Sequence, residues 1–323
     1  MAERPTVDVA LQIFGKPYQT ALCLASFMRH MGDLVRTVFF VLEPARPGFD
    51  ALEVERLAGF VPRMRPVMTP LWLRVKPLEA ERLREDAYRH SLRYQYAWEN
   101  SDADCLFVLH NDMEFRGDVL TPMLEALPGY VAVGPVGQCW NCPASRAEIV
   151  AACGVNGGVP CRPEAYGDFR CSAGELHALY REARASGMRL RVPGHRRFGD
   201  EYERRPWPLP ECRVNEWCCL VDLRVARAAT LPLGQARPFG CYLPYQDLGV
   251  AWFRDMHQQG MRARHFALPA YARHRVGHQA LFDEAQYRAA EADAAAVLAR
   301  DYPEHAAELR RRGFVLPGAE QVS

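Results

Sequence analysis

The order of structural elements is set near the start of the chain, by residues 7–42, VDVALQIFGKPYQTALCLASFMRHMGDLVRTVFFVL. Val7 to Phe14 predicts a short buried strand, and Gly15-Lys16-Pro17 breaks it before the apolar-periodic stretch Ala21 to Met31, which predicts a helix. Val38 to Leu42 is β-branched and aromatic and predicts a second strand. A strand, a helix and a strand in this order indicate a mainly parallel sheet with helices on its faces, and such sheets bind ligands at the carboxyl ends of their strands.

A further buried strand is followed directly by polar side chains. Cys105-Leu106-Phe107-Val108-Leu109 is a continuous apolar run of the kind buried on both faces of a sheet, and His110-Asn111-Asp112 come next. The segment Leu78 to Glu99, which precedes this strand, has the three- and four-residue apolar spacing of a helix. We therefore expect Asp112 at a strand end, where a parallel sheet places its ligand.

The later part of the chain returns to strands and helices after a change in composition. Trp217 to Leu223 predicts a strand, and Asp247 leads a predicted helix that ends near Gly260. A final strand is predicted from Ala263 to Leu268, with His274 and His278 after it. Changes in composition divide the chain into four segments. They are residues 1–136, a cysteine-, proline- and glycine-rich insertion at 137–213, residues 214–279, and an alanine-rich helical extension at 280–323.

Size and charge exclude several classes of protein. A chain of 323 residues that is 49% hydrophobic and 24% charged can bury a large core, and it has the composition of an ordinary globular protein. Its net charge of +1 removes the electrostatic case for a nucleic-acid partner. We see no export signal and no run of the ~20 apolar residues that a transmembrane segment needs, so the expected location is the cytoplasm.

Several of these segments together resemble the family-2 glycosyltransferases. The resemblance rests on the first strand, on Leu109-His110-Asn111-Asp112, and on Tyr245-Gln246-Asp247-Leu248-Gly249 followed by a helix, Gly260, a strand, Pro269 and His274. It covers roughly residues 7 to 136 and 214 to 279. It implies an α/β fold of the GT-A type, which is Rossmann-like, with a mixed, mostly parallel sheet flanked by helices. Residues 1–136 would then be the nucleotide-sugar-binding half and 214–279 the acceptor half of one domain.

The resemblance also implies an activity and roles for particular residues. The activity is transfer of a sugar from a nucleotide-diphosphate sugar to an acceptor hydroxyl, which the sequence leaves open among glycans, lipid-linked sugars, proteins and small molecules. In the family, the motif at Asp112 binds the metal and the diphosphate, and a histidine like His274 completes the metal site. An acidic residue matched by Glu43 contacts the nucleotide base. Donor-binding candidates are Phe14, Glu43, Arg93, Asn111 and Asp112, and metal-ligand candidates are Asp112, His274 and His278.

Two chemical expectations accompany these roles. Carboxylate oxygens suit magnesium or manganese, and manganese also accepts imidazole, so the expected cofactor is Mn²⁺ or Mg²⁺. The resemblance implies that Asp247 is the general base. A single in-line displacement would then invert the configuration of the sugar, because the sequence positions no second carboxylate as a nucleophile.

The eleven cysteines need a separate explanation, because disulfides are rare in a reducing compartment. Cys139-Trp140-Asn141-Cys142 has the two-residue spacing of a zinc knuckle, and two of the later cysteines could complete four thiolates. The candidate ligands of a structural zinc ion are Cys139, Cys142, Cys161 and Cys171. Buried free thiols are the alternative, and we expect them at Cys105, Cys218 and Cys219 within predicted strands.

Alternatives remain open at this point. Asp112 could simply begin a turn, Asp247 could be the N-cap of the following helix, and His274 could be an ordinary surface histidine. A sugar nucleotidyltransferase would need a lysine on the phosphates after an arginine-rich loop, and Lys16 and Lys76 are the only lysines. A non-catalytic nucleotide- or glycan-binding protein on a degenerate scaffold is the other rival, because His110 stands where the family often has aspartate.

Overall fold

The protein is described by a computed structural model that covers residues 4–43, 54–73, 76–136, 185, 213–243, 248–275 and 283–317. The chain forms two compact units. The first contains Met1–Trp72, Asp86–Pro122 and Leu268–Ser323, and the second contains Leu73–Glu85 and Met123–Ala267. Both units combine strands with helices, which confirms the predicted α/β class. Within the described ranges, no helix is long and apolar enough to cross a bilayer.

Four parallel strands form the main sheet of the first unit. Their order across the sheet is β3 (Met64–Met68), β2 (Val38–Leu42), β1 (Val7–Ile13) and β4 (Cys105–His110). Strand β1 lies between β2 and β4, so that Ala10 is opposite both Phe39 and Val108. Every residue of β1 and β2 is buried, which explains the unbroken apolar sequence of β2 and the mostly apolar sequence of β1, where only Asp8 and Gln12 are polar.

Helix α1 (Pro17–Met31) connects β1 to β2 and supplies the core on one face of this sheet. Its Phe27 ring lies 6.0 Å from that of Phe107 and 5.6 Å from that of Phe115. The predicted C-terminal extension forms two helices, α7 (Glu284–Asp301) and α8 (Pro303–Arg311), and α7 packs against α1. The tail is not one continuous helix, because Pro303 cannot continue the hydrogen-bond ladder of α7.

The single helix predicted for Leu78 to Glu99 was wrong. The segment contains a 3₁₀ turn (Ala80–Arg84) and two short helices, α2 (Asp86–Ser91) and α3 (Gln95–Asn100). Tyr94 adopts a left-handed backbone conformation with φ 65°, and its N–H donates to the side-chain oxygen of Gln12 at 3.3 Å. A hydrogen bond to another element thus replaces the helical one at this residue.

A two-stranded antiparallel ribbon completes the strands of the first unit. It pairs β5 (Met113–Phe115), directly after β4, with β9 (Ala272–His274). The sequence predicts one strand from Ala263 to Leu268 with His274 beyond it. The structure instead has a shorter strand, β8 (Ala263–His265), a 3₁₀ turn, and then β9, so His274 lies on a strand of its own.

The second unit has a small mixed sheet. Strand β6 (Ala132–Gly134) pairs antiparallel with β7 (Cys218–Asp222) and parallel with β8. The predicted core cysteines Cys105, Cys218 and Cys219 are all buried. Among the described residues of this unit, helices α5 (Leu223–Ala229) and α6 (Val250–Gln258) follow β7, and α4 (Leu120–Ala126) leads the chain into the unit.

Helix α6 begins after Gly249, which is its N-cap and has φ 79°. This corrects the interpretation of Asp247 as the capping residue. A glycine is needed there because left-handed backbone is costly for residues with a Cβ. The Trp252 ring of this helix packs 5.0 Å from Phe239 and 4.8 Å from Phe253, and it fixes the helix in the core of the second unit.

Candidate functional site

The carboxyl ends of β1 and β4 lie side by side, because these neighbouring strands run parallel with Gln12 opposite His110. The ribbon then adds a distant residue to this edge. Met113 pairs with His274, and the N–H of Arg275 donates to the carbonyl oxygen of Asp112 at 2.9 Å. Two residues 162 positions apart in sequence, Asp112 and His274, are therefore held next to each other.

Three side chains at this edge form a cluster that could hold a metal ion. The Nε2 atom of His274 lies 2.8 Å from Oδ1 of Asp112, and Nδ1 of His110 lies 4.0 Å from the same oxygen. One ligand atom from each of the three residues lies within 4.8 Å of the other two. The Asp112 side chain is 2% exposed, whereas those of His110 and His274 are 25% and 27% exposed. A buried carboxylate is thus flanked by two imidazoles that remain partly accessible.

Lys16 is a fourth member of the site that we did not predict from the sequence. Its Nζ lies 2.5 Å from Oδ2 of Asp112, on the side of the carboxylate away from His274. The residue is buried and has left-handed backbone angles of φ 60° and ψ 56° directly before α1. One signal was available, since Lys16 is one of two lysines in a chain whose other basic residues are all arginine.

Burial and charge act in opposite directions on the two groups at the centre of the cluster. Burial raises the pKa of Asp112, but Lys16 and His274 outweigh this effect and hold the pKa well below its usual value. Burial lowers the pKa of His110 to about 3, and the charge of Asp112 offsets only part of that shift. Asp112 is therefore ionised and His110 is neutral near pH 7, which are the forms that bind metal ions.

The first loop is tied to the end of β4 by Asn111. Its side-chain nitrogen donates to the carbonyl oxygen of Gly15 at 3.0 Å and to Oγ1 of Thr20 at 2.8 Å. This places the loop that carries Lys16 against the segment that carries Asp112. Phe14, the other donor-binding candidate on this loop, is half-buried between β1 and Gly15.

Glu43, directly after β2, contacts Arg93, which lies just before α3. The Nε atom of Arg93 donates to Oε1 of Glu43 at 3.2 Å, and the side-chain nitrogen of Gln12 donates to the same oxygen at 3.3 Å. The other oxygen, Oε2, is buried and has no hydrogen-bond partner within the described part of the chain. Such an unpaired acceptor is costly to bury, so this oxygen is available to a ligand that donates a hydrogen bond.

The ribbon that presents His274 is held by ion pairs. Glu114 on β5 accepts from Nε and Nη2 of Arg273 at 3.0 and 2.9 Å, and it also pairs with Arg275. A cavity of about 340 Å³ opens beside the ribbon and is lined by Arg273, His274, Arg275, Ala290 and Asp293. His274 is thus fixed in position by its neighbours while part of its ring borders open space.

Several predicted site residues lie outside the described residues. They are the proposed base Asp247, the second histidine His278, and the candidate zinc ligands Cys139, Cys142, Cys161 and Cys171. The residue after Asp247 is described: the carbonyl oxygen of Leu248 accepts from Nε of Arg213 at 3.1 Å. Arg213 is itself buried and pairs with Glu216 at 3.3 Å. The chain next to Asp247 is therefore anchored in the second unit.

Comparisons with known proteins give no close relative. No model of a protein family matches the chain, and no curated protein sequence matches it. Among solved structures, one that matches is described as mannosyltransferase PcManGT from Pyrobaculum calidifontis in complex with GDP-Man and Mn²⁺. It is 15% identical, and the alignment covers 96% of this chain and 74% of that one with a TM-score of 0.42. So distant a likeness assigns neither a family nor an activity.

Helix α7 supports the site through its contacts with the start of α1. Glu291 on α7 accepts from the N–H of Tyr18 at 2.8 Å and from the side-chain nitrogen of Gln19 at 2.9 Å. The N–H of Lys16 donates to the hydroxyl of Tyr287, also on α7, at 2.9 Å. The C-terminal extension therefore satisfies the free N–H groups at the start of α1 and holds Lys16 in its left-handed conformation.

The Glu291→Gln variant is expected to flatten the pH dependence of stability. Burial raises the pKa of Glu291 from 4.5 to about 7, despite its hydrogen bonds and nearby Lys16. The unfolded chain therefore ionises this carboxyl at lower pH than the folded protein does, and the wild type loses stability as pH rises from about 4.5 to 7. The loss amounts to about 3 kcal/mol, and a glutamine has no charge to bury. Urea unfolding at pH 5, 6, 7 and 8 measures the difference between the two proteins.

The control for this variant is Glu284→Gln, the same substitution at an exposed position of the same helix. Its stability should follow the wild type at every pH. Parallel curves for the wild type and Glu291→Gln would show that the carboxyl of Glu291 titrates normally in the folded protein.

Proposed function

We propose that this protein is a glycosyltransferase that moves a sugar from a nucleotide-diphosphate sugar to an acceptor hydroxyl. The observation that carries the proposal is the convergence of His110, Asp112 and His274 at the carboxyl end of β4. A cluster of ionised carboxylate and imidazoles at the ligand-binding edge of a parallel sheet is suited to a diphosphate held through a divalent metal. The GT-A type of fold and membership of family 2 are part of this proposal.

The side chains present fit such a metal ion. The Nδ1 atom of His110 lies 4.0 Å from Oδ1 of Asp112, and its Nε2 atom is buried without a hydrogen-bond partner among the described residues, so neither nitrogen is closely paired. Asp112 and His274 add an oxygen and a nitrogen within the distance range of one site. When bound, a divalent ion there would supply positive charge to the departing diphosphate.

The residues around the cluster are assigned to the nucleotide sugar. Lys16 places a positive charge beside Asp112 in addition to that of the metal ion, and this ammonium is assigned to the phosphates of the donor. Glu43 has a buried oxygen free to accept a hydrogen bond from the nucleoside, and Arg93 orients it. Asn111 holds the loop of Lys16 in place, and Phe14 borders that loop.

Asp247 is assigned the role of general base. It takes the proton of the acceptor hydroxyl while that oxygen forms a bond to the anomeric carbon and the bond from this carbon to the diphosphate breaks. The displacement is in line, so the configuration inverts. The N-cap of α6 is Gly249, so this capping role does not account for Asp247. The Nε atom of Arg213 donates to the carbonyl oxygen of Leu248, the residue after Asp247.

Thermal unfolding of the full chain with nucleoside diphosphates tests the proposal. Uridine, guanosine and thymidine diphosphates are each added with and without Mn²⁺, and the matching nucleotide sugar is then assayed for release of its nucleoside diphosphate. One nucleotide at a hundred times its Kd should stabilise the protein by about 2.7 kcal/mol only when metal is present. Absence of stabilisation by every nucleotide would contradict the proposal, and release of pyrophosphate from a nucleoside triphosphate in the presence of a sugar 1-phosphate would indicate a nucleotidyltransferase.

The contact of Lys16 with Asp112 favours one second candidate, a non-catalytic nucleotide- or glycan-binding protein. The ammonium already neutralises the carboxylate, so the site can be stable without a metal ion. The same experiment separates the two functions. Metal-independent nucleotide binding without any turnover of nucleotide sugars would support the binding protein.

A further inference from the structure

The start of α1 has none of the capping groups that a helix usually carries in its own sequence. Within the described part of the chain, the N-cap residue Lys16 makes no side-chain capping hydrogen bond, and the first turn of α1 contains no acidic residue. The backbone of Lys16 is left-handed, a conformation that is costly for a residue with a Cβ and that persists only where its surroundings hold it. Groups from elsewhere in the chain are therefore needed to fix this turn.

Two side chains of α7 supply the missing hydrogen bonds. The hydroxyl of Tyr287 accepts from the N–H of Lys16 at 2.9 Å. The carboxyl group of Glu291 accepts from the N–H of Tyr18 at 2.8 Å and from that of Gln19 at 3.3 Å. Its Oε1 atom also accepts from the side-chain nitrogen of Gln19 at 2.9 Å. Three backbone N–H groups at the start of α1 are thus bonded to one helix that lies about 270 residues later in the chain.

The residues after α8 hold the same turn at a second place. The hydroxyl of Tyr18 donates to the carbonyl oxygen of Val315 at 2.8 Å, and the N–H of Val315 donates to that hydroxyl at 3.2 Å. The rings of Tyr18 and Phe314 meet edge to face, with their centroids 5.6 Å apart. The C-terminal extension therefore fixes the first turn of α1 both through α7 and through residues 314–315.

The turn held in this way determines where the ammonium of Lys16 lies. The residue is buried, and its Nζ atom lies 2.5 Å from Oδ2 of Asp112. A lysine side chain is a flexible stem, so the point that its ammonium reaches depends on the direction in which the backbone sends it out. A change of the Lys16 backbone to right-handed angles would redirect its Cα–Cβ bond and take the ammonium away from Asp112.

We infer that Tyr287 and Glu291 are positioning residues for Lys16, and that the C-terminal extension thereby sets the affinity of the site for the phosphates of the donor. Both side chains act through the backbone of the first turn of α1 and not by contact with the phosphates. The inference rests on the proposed function in one respect, because that function assigns the ammonium of Lys16 to the phosphates. Residues 280–323 lie outside the segments that carry the family resemblance, so the resemblance does not imply this role.

The reactivity of the two lysines in the full chain tests the positioning directly. Lys16 is buried and Lys76 is exposed, so brief treatment with acetic anhydride followed by peptide mass spectrometry compares one lysine of each kind in the same sample. Tyr287→Phe removes only the hydroxyl that accepts from Lys16. In this variant the acetylation rate of Lys16 should rise at least ~10-fold, while that of Lys76 stays unchanged.

Substitutions of Glu291 test the second positioning residue. Glu291→Leu removes every acceptor that this side chain offers to α1 and should raise the acetylation rate of Lys16 by at least ~10-fold. Glu291→Gln keeps one side-chain oxygen, so its rate should lie between those of the wild type and of Glu291→Leu. If Glu291→Leu fails to fold, Glu291→Gln and Tyr287→Phe still decide the question.

Nucleotide affinity measures the consequence for the site. Calorimetric titration with the nucleoside diphosphate that stabilises the wild type, at a fixed concentration of Mn²⁺, should give a Kd at least ~10-fold higher for Tyr287→Phe. The matched control is Tyr96→Phe, which removes a hydroxyl on α3 that accepts from Arg65 at 3.2 Å at an exposed position. The control should keep both the Lys16 reactivity and the nucleotide affinity of the wild type.

A contribution of α7 to stability alone predicts a different result. Urea unfolding of the variants would then show a lower free energy of unfolding, while Lys16 stays unreactive in the folded protein and the nucleotide affinity stays unchanged. That combination would overturn the inference, and so would a reactive Lys16 with unchanged nucleotide affinity. Failure of the proposed function is recognised separately. A wild type that binds no nucleoside diphosphate contradicts that function, whereas the acetylation rates still decide whether α7 positions Lys16.

Discussion

Replacing Asp112 by asparagine is expected to abolish metal binding and to destabilise the fold together. The neutral amide removes the one charged ligand of the cluster, so affinity for Mn²⁺ should fall by more than ~100-fold. It also leaves the buried ammonium of Lys16 without a counter-charge, which should lower the free energy of unfolding by about 3 kcal/mol. Calorimetric metal titration and urea unfolding measure the two effects on the same protein.

The double variant Lys16→Met with Asp112→Asn distinguishes these two losses. Removing the ammonium as well as the carboxylate takes away the unpaired charge, so stability should recover while metal binding stays lost. Asp102→Asn serves as the control, because the Asp102 side chain is 82% exposed and its ion pair with Arg36 is on the surface. A single Asp112→Asn variant as stable as the wild type would show that Lys16 is not buried against this carboxylate.

Replacing Asp247 by asparagine should lower the turnover of the nucleotide sugar by about 10³-fold while leaving nucleotide binding unchanged. The amide keeps the size and hydrogen-bonding capacity of the side chain but cannot take a proton from the acceptor. The fold should be unaffected, because Gly249 caps α6 and Arg213 holds the carbonyl of Leu248. Steady-state kinetics and nucleotide titration of the same preparation test this prediction.

An unchanged kcat in the Asp247→Asn protein would remove Asp247 from the mechanism. The matched control is Asp118→Asn, which lies outside both the metal cluster and the segment of Asp247 and should retain full turnover. Equal losses in kcat and in nucleotide affinity would place Asp247 in donor binding rather than in proton transfer.

The parts of the fold that the sequence predicted well are those whose signal is local. Strands β1, β2 and β4 are mostly apolar, and their burial on both faces favours such sequences. The helix predicted for Leu78 to Glu99 failed because a hydrogen bond from Tyr94 to Gln12, on another element, outweighed the helical pattern. Strand β3 was missed because it is an edge strand with mostly exposed residues and a proline.

The candidate site also contains residues whose position the sequence predicts and residues whose contacts depend on distant segments. The position of Asp112 could be predicted, because a polar residue after a buried strand lies where a parallel sheet binds its ligands. The partnership of Lys16 with Asp112 could not, since it depends on a left-handed backbone that Asn111, after β4, and Tyr287 and Glu291, on α7, hold in place from two other segments. Propensities along the chain contain no information about such contacts.

The sequence by itself determined the α/β class, the buried strands, and the polar residues that follow them, because burial and periodicity are properties of neighbouring residues. The resemblance had already put forward Asp112 and His274 as ligands of one metal ion, but only the tertiary structure decided that His110 would lie beside them and that an ammonium would occupy the second carboxylate oxygen. The physical reason is that the pairing of β5 with β9 and the anchoring of α1 by α7 join segments far apart in the chain. The chemistry of the site depends on those long-range contacts.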